Sequence, residues 1–151
     1  MNLWKSLTVA SAVTFAALPV TLSVRAQTCT PLKVVGGTGT QIQKTVSPPG
    51  AEIVRNNWNT DFAVPSTASF RRYIATILPK NGGEYTVQVS LKYNDNSADK
   101  VFDQTLKLPQ NRSYRITGSP RLNANPYQVN LFVGGLSAVG NSYTASVVGC
   151  N

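Results

Sequence analysis

Residues 84–93 read EYTVQVSLKY, and apolar and polar side chains alternate through the whole stretch. Successive side chains of an extended strand point to opposite faces, so this alternation gives one apolar face and one polar face. The apolar positions are Tyr85, Val87, Val89, Leu91 and Tyr93. The sequence therefore predicts a β-strand that is buried on one face and in contact with solvent on the other.

The same period of two recurs on both sides of this strand. Segments 79–83 and 94–97, which are rich in Pro, Gly and Asn, are typical of turns. Seven further strands are predicted, over residues 40–46, 58–64, 68–78, 100–108, 114–116, 127–133 and 143–147. No window of 11 or more residues has a helical apolar stripe. Eight short strands separated by turns indicate an all-β protein, an antiparallel β-sandwich of seven to eight strands.

Two segments carry a resemblance to a known fold family. Residues 140–147, GNSYTASV, resemble the Gly-x-x-Tyr-x-x-x-Val pattern of late strands in immunoglobulin-like domains, and residues 83–87, GEYTV, are similar. The resemblance implies an immunoglobulin-like sandwich and no particular activity. The alternation predicts that the two sheets share a core formed by Tyr85, Val87, Val89, Leu91, Tyr127, Val129, Leu131, Tyr143 and Val147.

The first 26 of the 151 residues have the pattern of a signal peptide. Lys5 precedes an apolar run over residues 7–22, and the small residues Val24 and Ala26 precede the expected cleavage before Gln27. The run is shorter than the roughly 20 residues that span a bilayer. We therefore expect a secreted or periplasmic protein, with one β-sandwich domain over residues 27–151 and no membrane span in the mature chain.

The two cysteines lie at the two ends of this mature domain. Cys29 and Cys150 are the only thiols of the chain, so one intramolecular pairing exists. Because a secreted chain meets an oxidising environment, we expect a disulfide that joins the first and last segments.

The composition excludes most catalytic machinery. The chain has no histidine, so it has no Ser-His-Asp triad, Cys-His pair or histidine metal ligand. Its six acidic residues are spread along the sequence and do not form an evident pair for acid–base chemistry. We expect a protein that is not an enzyme and that has no cofactor and no metal site.

The basic residues are the strongest indication of a partner. Without residues 1–26 the chain keeps 12 basic and 6 acidic residues, a formal charge of +6. Arg71 and Arg72 lie beside Phe70, and Arg115 follows Tyr114. Guanidinium groups beside aromatic rings bind acidic glycans or nucleic acid, and secretion argues against nucleic acid. Candidate ligand-binding residues are Arg55, Arg71, Arg72 and Arg115, although these positions are more typical of a solvated strand face.

Two further features have two interpretations each. Trp58 lies among asparagines, as in many sugar-binding sites, but its alternation with Phe62 and Val64 is typical of the core. Asp95 and Asp99 could hold a calcium ion or could belong to an ordinary polar turn. The alternation favours a core position for Trp58, and the turn composition favours the polar turn for Asp95 and Asp99.

Three classes of function remain open. The first is a non-catalytic binding or structural module whose basic face contacts anionic cell-envelope or matrix polymers, or a protein partner. The second is a carbohydrate-binding or carbohydrate-active domain that uses Trp58. The third is an assembly factor that adds a partner strand to an exposed sheet edge. Oligomeric state and ligand identity are not determined by the sequence.

Overall fold

The computed structural model describes residues 27–50 and 56–151, which form two packed antiparallel sheets. Strands are numbered in chain order. Sheet A contains β1 (Cys29–Pro31), β3 (Gln41–Thr45), β5 (Arg72–Pro79), β8 (Tyr114–Gly118) and β10 (Ser142–Cys150). Sheet B contains β2 (Lys33–Val34), β4 (Asn59–Ala63), β6 (Gly83–Lys92), β7 (Ala98–Leu108) and β9 (Gln128–Gly134). A 3-10 turn (Leu136–Ala138) connects β9 to β10.

The strand order places β5 and β10 in the interior of sheet A, and β4, β9 and β6 in the interior of sheet B. In sheet A, β10 pairs with β5 and β5 with β8, whereas β1 and β3 both pair with β10. In sheet B the order is β2-β4-β9-β6-β7. The β-sandwich predicted from the alternation is confirmed. The two short strands β1 and β2 were not predicted, because three residues and two residues are too few to show a period.

The core lies between the two sheets and contains the predicted alternating side chains. Tyr85, Val87, Leu91, Val129 and Val147 are fully buried. Leu32, Phe62, Ile77 and Leu131 complete the contact between the sheets. The continuous apolar run in the second half of the predicted strand 68–78 indicated an interior position, and β5 indeed lies between β10 and β8.

Two sequence-based assignments were wrong. Tyr127, predicted in the core, is 45% exposed, because β9 begins one residue later and Tyr127 lies at the open end of the sandwich. The strand predicted from residue 68 begins only at Arg72. Residues 68–71 instead form part of a loop in which Phe70 is buried against the backbone of Gly149.

The disulfide between Cys29 and Cys150 is confirmed. It joins β1 to the end of β10, where the two residues are direct partners in the ladder. We call this end of the sandwich the disulfide end. The start of β5 and the loop 119–127 also lie there, whereas Trp58 and the turn 79–83 lie at the opposite end.

Some predictions fall outside the described residues. They include the signal peptide over residues 1–26 and the candidate ligand-binding residue Arg55. Among the residues that the structure describes, no helix is long and apolar enough to cross a membrane.

Candidate functional site

Acidic and basic side chains are distributed unequally between the two sheets. Within the described ranges, the strands of sheet A contain three basic residues and no acidic one. Sheet B contains Asp61, Glu84, Asp99 and Asp103 together with four lysines. The net positive charge therefore lies on sheet A and on the loops next to it, an asymmetry that attracts anions to one face.

The three basic residues on the strands of sheet A differ in their surroundings. Lys44 is half-buried, and its Nζ donates to the carbonyls of Asn57 and Asn59, each at 2.7 Å, and to Thr60 Oγ1 at 2.8 Å. Burial lowers the pKa of this amine. Arg72 and Arg115 are exposed, and neither takes part in an ion pair among the described residues.

Arg72 and Arg115 point outward on the same side of sheet A. Arg115 pairs with Thr76, which lies four residues along β5 from Arg72. At about 3.3 Å per residue, the two backbones are about 13 Å apart along the strands. Thr117, which pairs with Ile74, lies between them. We call the outward side of β5 and β8 the arginine face.

At the disulfide end the arginine face continues into an open hollow of about 920 Å³, which we call the arginine hollow. Two arginines, Arg71 and Arg72, line it. The other lining residues carry hydroxyl or amide side chains and are Gln27, Thr28, Ser69, Thr117, Ser119 and Asn151. Among the residues that the structure describes, no aspartate or glutamate lines it. A second hollow, which shares Ser69, Arg71 and Ser119 with the first, extends toward the loop 119–127.

The walls of the arginine hollow are fixed by the backbone. The amide of Arg71 donates to the carbonyl of Cys150 at 2.9 Å, and the amide of Asn151 donates to the carbonyl of Thr28 at 3.1 Å. The Phe70 ring packs so closely on Gly149 that a side chain there would collide with it. These contacts and the disulfide hold the walls in place before any ligand arrives.

A third arginine at the disulfide end is already paired. Arg121 Nε and Nη2 donate to the two carboxylate oxygens of Asp99 at 2.8 and 2.7 Å, and Asp95 Oδ2 lies 3.5 Å from Nη1. The Arg121 guanidinium also lies over the Tyr93 ring, 4.2 Å from its centroid. Hydrogen bonds from Arg121 lower the pKa of Asp99, and those from Ser97 lower the pKa of Asp95.

This arrangement favours the polar-turn interpretation of Asp95 and Asp99. A calcium ion bound to both carboxylates would have to lie next to the Arg121 guanidinium, which repels it. No group of three or more Asp, Glu, His or Cys side chains with a metal-binding arrangement occurs in residues 27–50 and 56–151. In this structure the carboxylates connect the loop 119–127 to the turn after β6.

Trp58 is half-buried at the end opposite the disulfide. Its indole N–H donates to the carbonyl of Ser47 at 2.8 Å. Its ring meets the Phe132 ring edge to face, with centroids 5.6 Å apart, and covers the backbone of Gly134. Trp58 precedes β4, so the strand alternation that favoured a core position does not extend to it. The ring packs against the core from its margin and is not part of the buried interior.

The outward face of sheet B next to Trp58 is rich in amides. Phe132 lies between Asn59 on β4 and Gln88 on β6 in the two ladders. One row along, Asp61 accepts from Lys92 Nζ at 2.9 Å and from Asn130 Nδ2 at 2.8 Å. The charges in this row compensate one another, so the face offers mainly neutral hydrogen-bonding groups and one aromatic ring.

The structure thus separates the predicted site residues. Arg72 and Arg115 lie on sheet A, and Arg71 lies next to Arg72 at the disulfide end, whereas Trp58 lies at the opposite end beside sheet B. The sequence analysis missed the hydroxyls of the hollow. Thr117 and Ser119 follow Arg115 at a period of two, and this alternation was the available signal.

The third hypothesis requires an exposed sheet edge. Among the described strands, β7 pairs only with β6 and forms a long edge of sheet B. It has a register irregularity opposite Val89 and Ser90, and it carries Asp99, Lys100, Asp103 and Lys107. Bulges and charged side chains are the usual means by which edge strands avoid pairing with other chains. Nothing on this edge favours strand addition.

Comparison with known proteins gives no family. No protein-family profile matches the chain, and no curated protein does. A similar solved structure is the C-terminal family 22 carbohydrate-binding module of Clostridium thermocellum Xyn10B, with 13% identity and a TM-score of 0.36 over 84% of this chain and 86% of that chain. A second, from a study of CBM4 structure and function, has 14% identity and a TM-score of 0.32 over 74% of this chain and 94% of that chain. Scores this low do not bear on the function of this chain.

Proposed function

We propose that the protein is a secreted or periplasmic, non-catalytic binding module, and that the arginine face of sheet A contacts anionic cell-envelope or matrix polymers. The observation that carries this proposal is the distribution of charge. Sheet A has no acidic residue among those described, and its outward arginines have no ion-pair partner there.

The spacing of the arginines fits an extended polymer. Arg72 and Arg115 are about 13 Å apart along the strands, a length covered by a short oligosaccharide. Arg71 extends the charge into the hollow, and Arg112 lies in the turn before β8. Exposed guanidiniums at such intervals bind repeating carboxylates or sulfates by charge-assisted hydrogen bonds, and each contact is weakened by salt.

Retention of the purified domain on a resin that carries a sulfated or carboxylated polysaccharide tests this proposal. We expect elution at a clearly lower salt concentration for the double variant Arg72→Glu with Arg115→Glu. The matched control is Lys33→Glu with Lys107→Glu, which changes the net charge equally but alters sheet B. The control should elute close to the unmodified protein. Equal losses in both variants would show that net charge alone determines retention, and would reject the assignment to sheet A.

A second candidate function is binding of a neutral carbohydrate beside Trp58. It is favoured by the contact between the Trp58 and Phe132 rings and by the flanking amides of Asn59 and Gln88. The half-exposed Phe132 is the ring available for stacking, since the Trp58 ring covers Gly134 and its indole N–H is already bonded. Affinity electrophoresis in gels with neutral polysaccharides tests this candidate. Mobility retarded by a neutral polymer and restored by Phe132→Ala would support it.

A further inference from the structure

We propose that the arginine hollow is a discrete binding site for one acidic sugar residue, whose carboxylate or sulfate is held by Arg71 and Arg72. This inference rests on the proposed function and makes it more specific. It predicts recognition of a single residue of the polymer, in addition to the general attraction by the arginine face.

The charged side chains of the hollow, Arg71 and Arg72, favour an anion. Both guanidiniums are exposed, and neither belongs to any ion pair among the described residues. Arg121 lies at the same end but differs from these two arginines, because Asp95 and Asp99 already neutralise its charge. A guanidinium presents a planar fork of N–H donors that matches the oxygens of a carboxylate or a sulfate.

The neutral groups of the hollow favour a sugar over a bare ion. The hydroxyls of Thr28, Ser69, Thr117 and Ser119 can each donate and accept, as sugar hydroxyls do. None of the four takes part in a hydrogen bond with Arg71 or Arg72 among the described side chains, and only Ser69 has a side-chain partner, Asn125 at 3.1 Å. The arginine hollow has a volume of about 920 Å³, which is larger than an inorganic anion would fill.

The hollow is also preorganised. Its walls come from residues 27–28, Asn151, the loop before β5 and the end of β8, and backbone hydrogen bonds and the disulfide join them. A ligand therefore meets groups whose backbone is already ordered, which lowers the entropic cost of binding.

Calorimetric titration of the unmodified protein with a sulfated disaccharide, a uronic-acid disaccharide and inorganic sulfate tests the inference. We expect saturable one-to-one binding of at least one disaccharide. Arg71→Gln with Arg72→Gln should weaken it about tenfold or more, because two charge-assisted contacts are lost. Lys33→Gln with Lys107→Gln, which changes the net charge equally but on sheet B, should weaken it much less. Equal weakening by both variants, or no saturable disaccharide binding, would overturn the inference.

A second variant tests whether the protein recognises the sugar hydroxyls in addition to the acidic group. Thr117→Val with Ser119→Ala keeps the charge and removes two hydroxyls, so it should weaken disaccharide binding and leave sulfate binding unchanged. Binding of sulfate as strong as that of the disaccharides would contradict the sugar specificity. The proposed function is tested separately by retention of the polymer. If Arg72 and Arg115 determine retention while no disaccharide saturates the hollow, the inference fails and the proposed function stands.

Discussion

Removal of the Cys29–Cys150 disulfide should destabilise the protein strongly without changing its fold. The bond links residues 121 positions apart, so it closes a loop over most of the described chain. In the chain-entropy description, a loop of this length restricts the unfolded state by about 5 kcal/mol. Because the measured stabilisation by a disulfide is often smaller than this value, we expect its removal to lower the free energy of unfolding by about 3–5 kcal/mol.

The variant Cys29→Ser with Cys150→Ala is suited to the test. Position 29 is exposed, so a serine hydroxyl there can bond to water. Position 150 is fully buried, and a serine hydroxyl there would have no partner, so alanine is used. Urea unfolding followed by circular dichroism gives the free energy, and the unmodified protein with added reductant is the control. A loss below about 1 kcal/mol would refute the reasoning, since it would mean that the bond barely restricts the unfolded chain.

Three further predictions concern the core and the ionisable groups. Val89→Asp places an unpaired charge in the core and should prevent folding, whereas Ser90→Asp on the outward face should fold; circular dichroism distinguishes the two. The Tyr73 hydroxyl is buried without a partner among the described atoms, and burial raises its pKa to about 12. The unfolded tyrosine ionises near pH 10 and the folded one only near pH 12, so the free energy of unfolding should fall as the pH rises from about 10 toward 12. In thermal melts, Tyr73→Phe should lose less stability at alkaline pH. At pH 7 it should be as stable as the unmodified protein or more stable. Because the folded protein lowers the pKa of Asp99, this carboxylate stabilises the fold above the unfolded pKa near 4. That stabilisation is lost as the pH falls through the folded pKa. An NMR titration should show that Arg121→Gln raises the pKa of Asp99 toward its ordinary value.

The sandwich could be predicted because its strands are long enough to show a period. Residues 84–93 form β6 almost residue for residue, and the alternation correctly predicts which side chains are buried. The predictions fail where a strand ends. Tyr127 and Trp58 lie just outside β9 and β4, at the ends of the sandwich, where side chains are only partly covered.

The arginine hollow could not be predicted because it is assembled from segments that are far apart in sequence. Its walls come from residues 27–28, 69–72, 117–119 and 151, which the strand pairing and the disulfide bring together. The sequence indicated Arg71, Arg72 and Arg115 individually, from their neighbouring aromatic residues. That Arg72 and Arg115 lie on a different sheet from Asp61, Glu84, Asp99 and Asp103 is a consequence of the sheet order.

Mapping of backbone amide shifts on the isotopically labelled protein, as an acidic oligosaccharide is added, shows which sheet binds the anion. We expect perturbed amides in β5, in β8 and around the arginine hollow, with the outward face of sheet B unchanged. The perturbations should shrink as salt is added, because exposed charges are screened over about 8–10 Å near physiological ionic strength. Shifts clustered around Trp58 and Phe132, or no saturable shifts anywhere, would contradict the assignment of anion binding to sheet A.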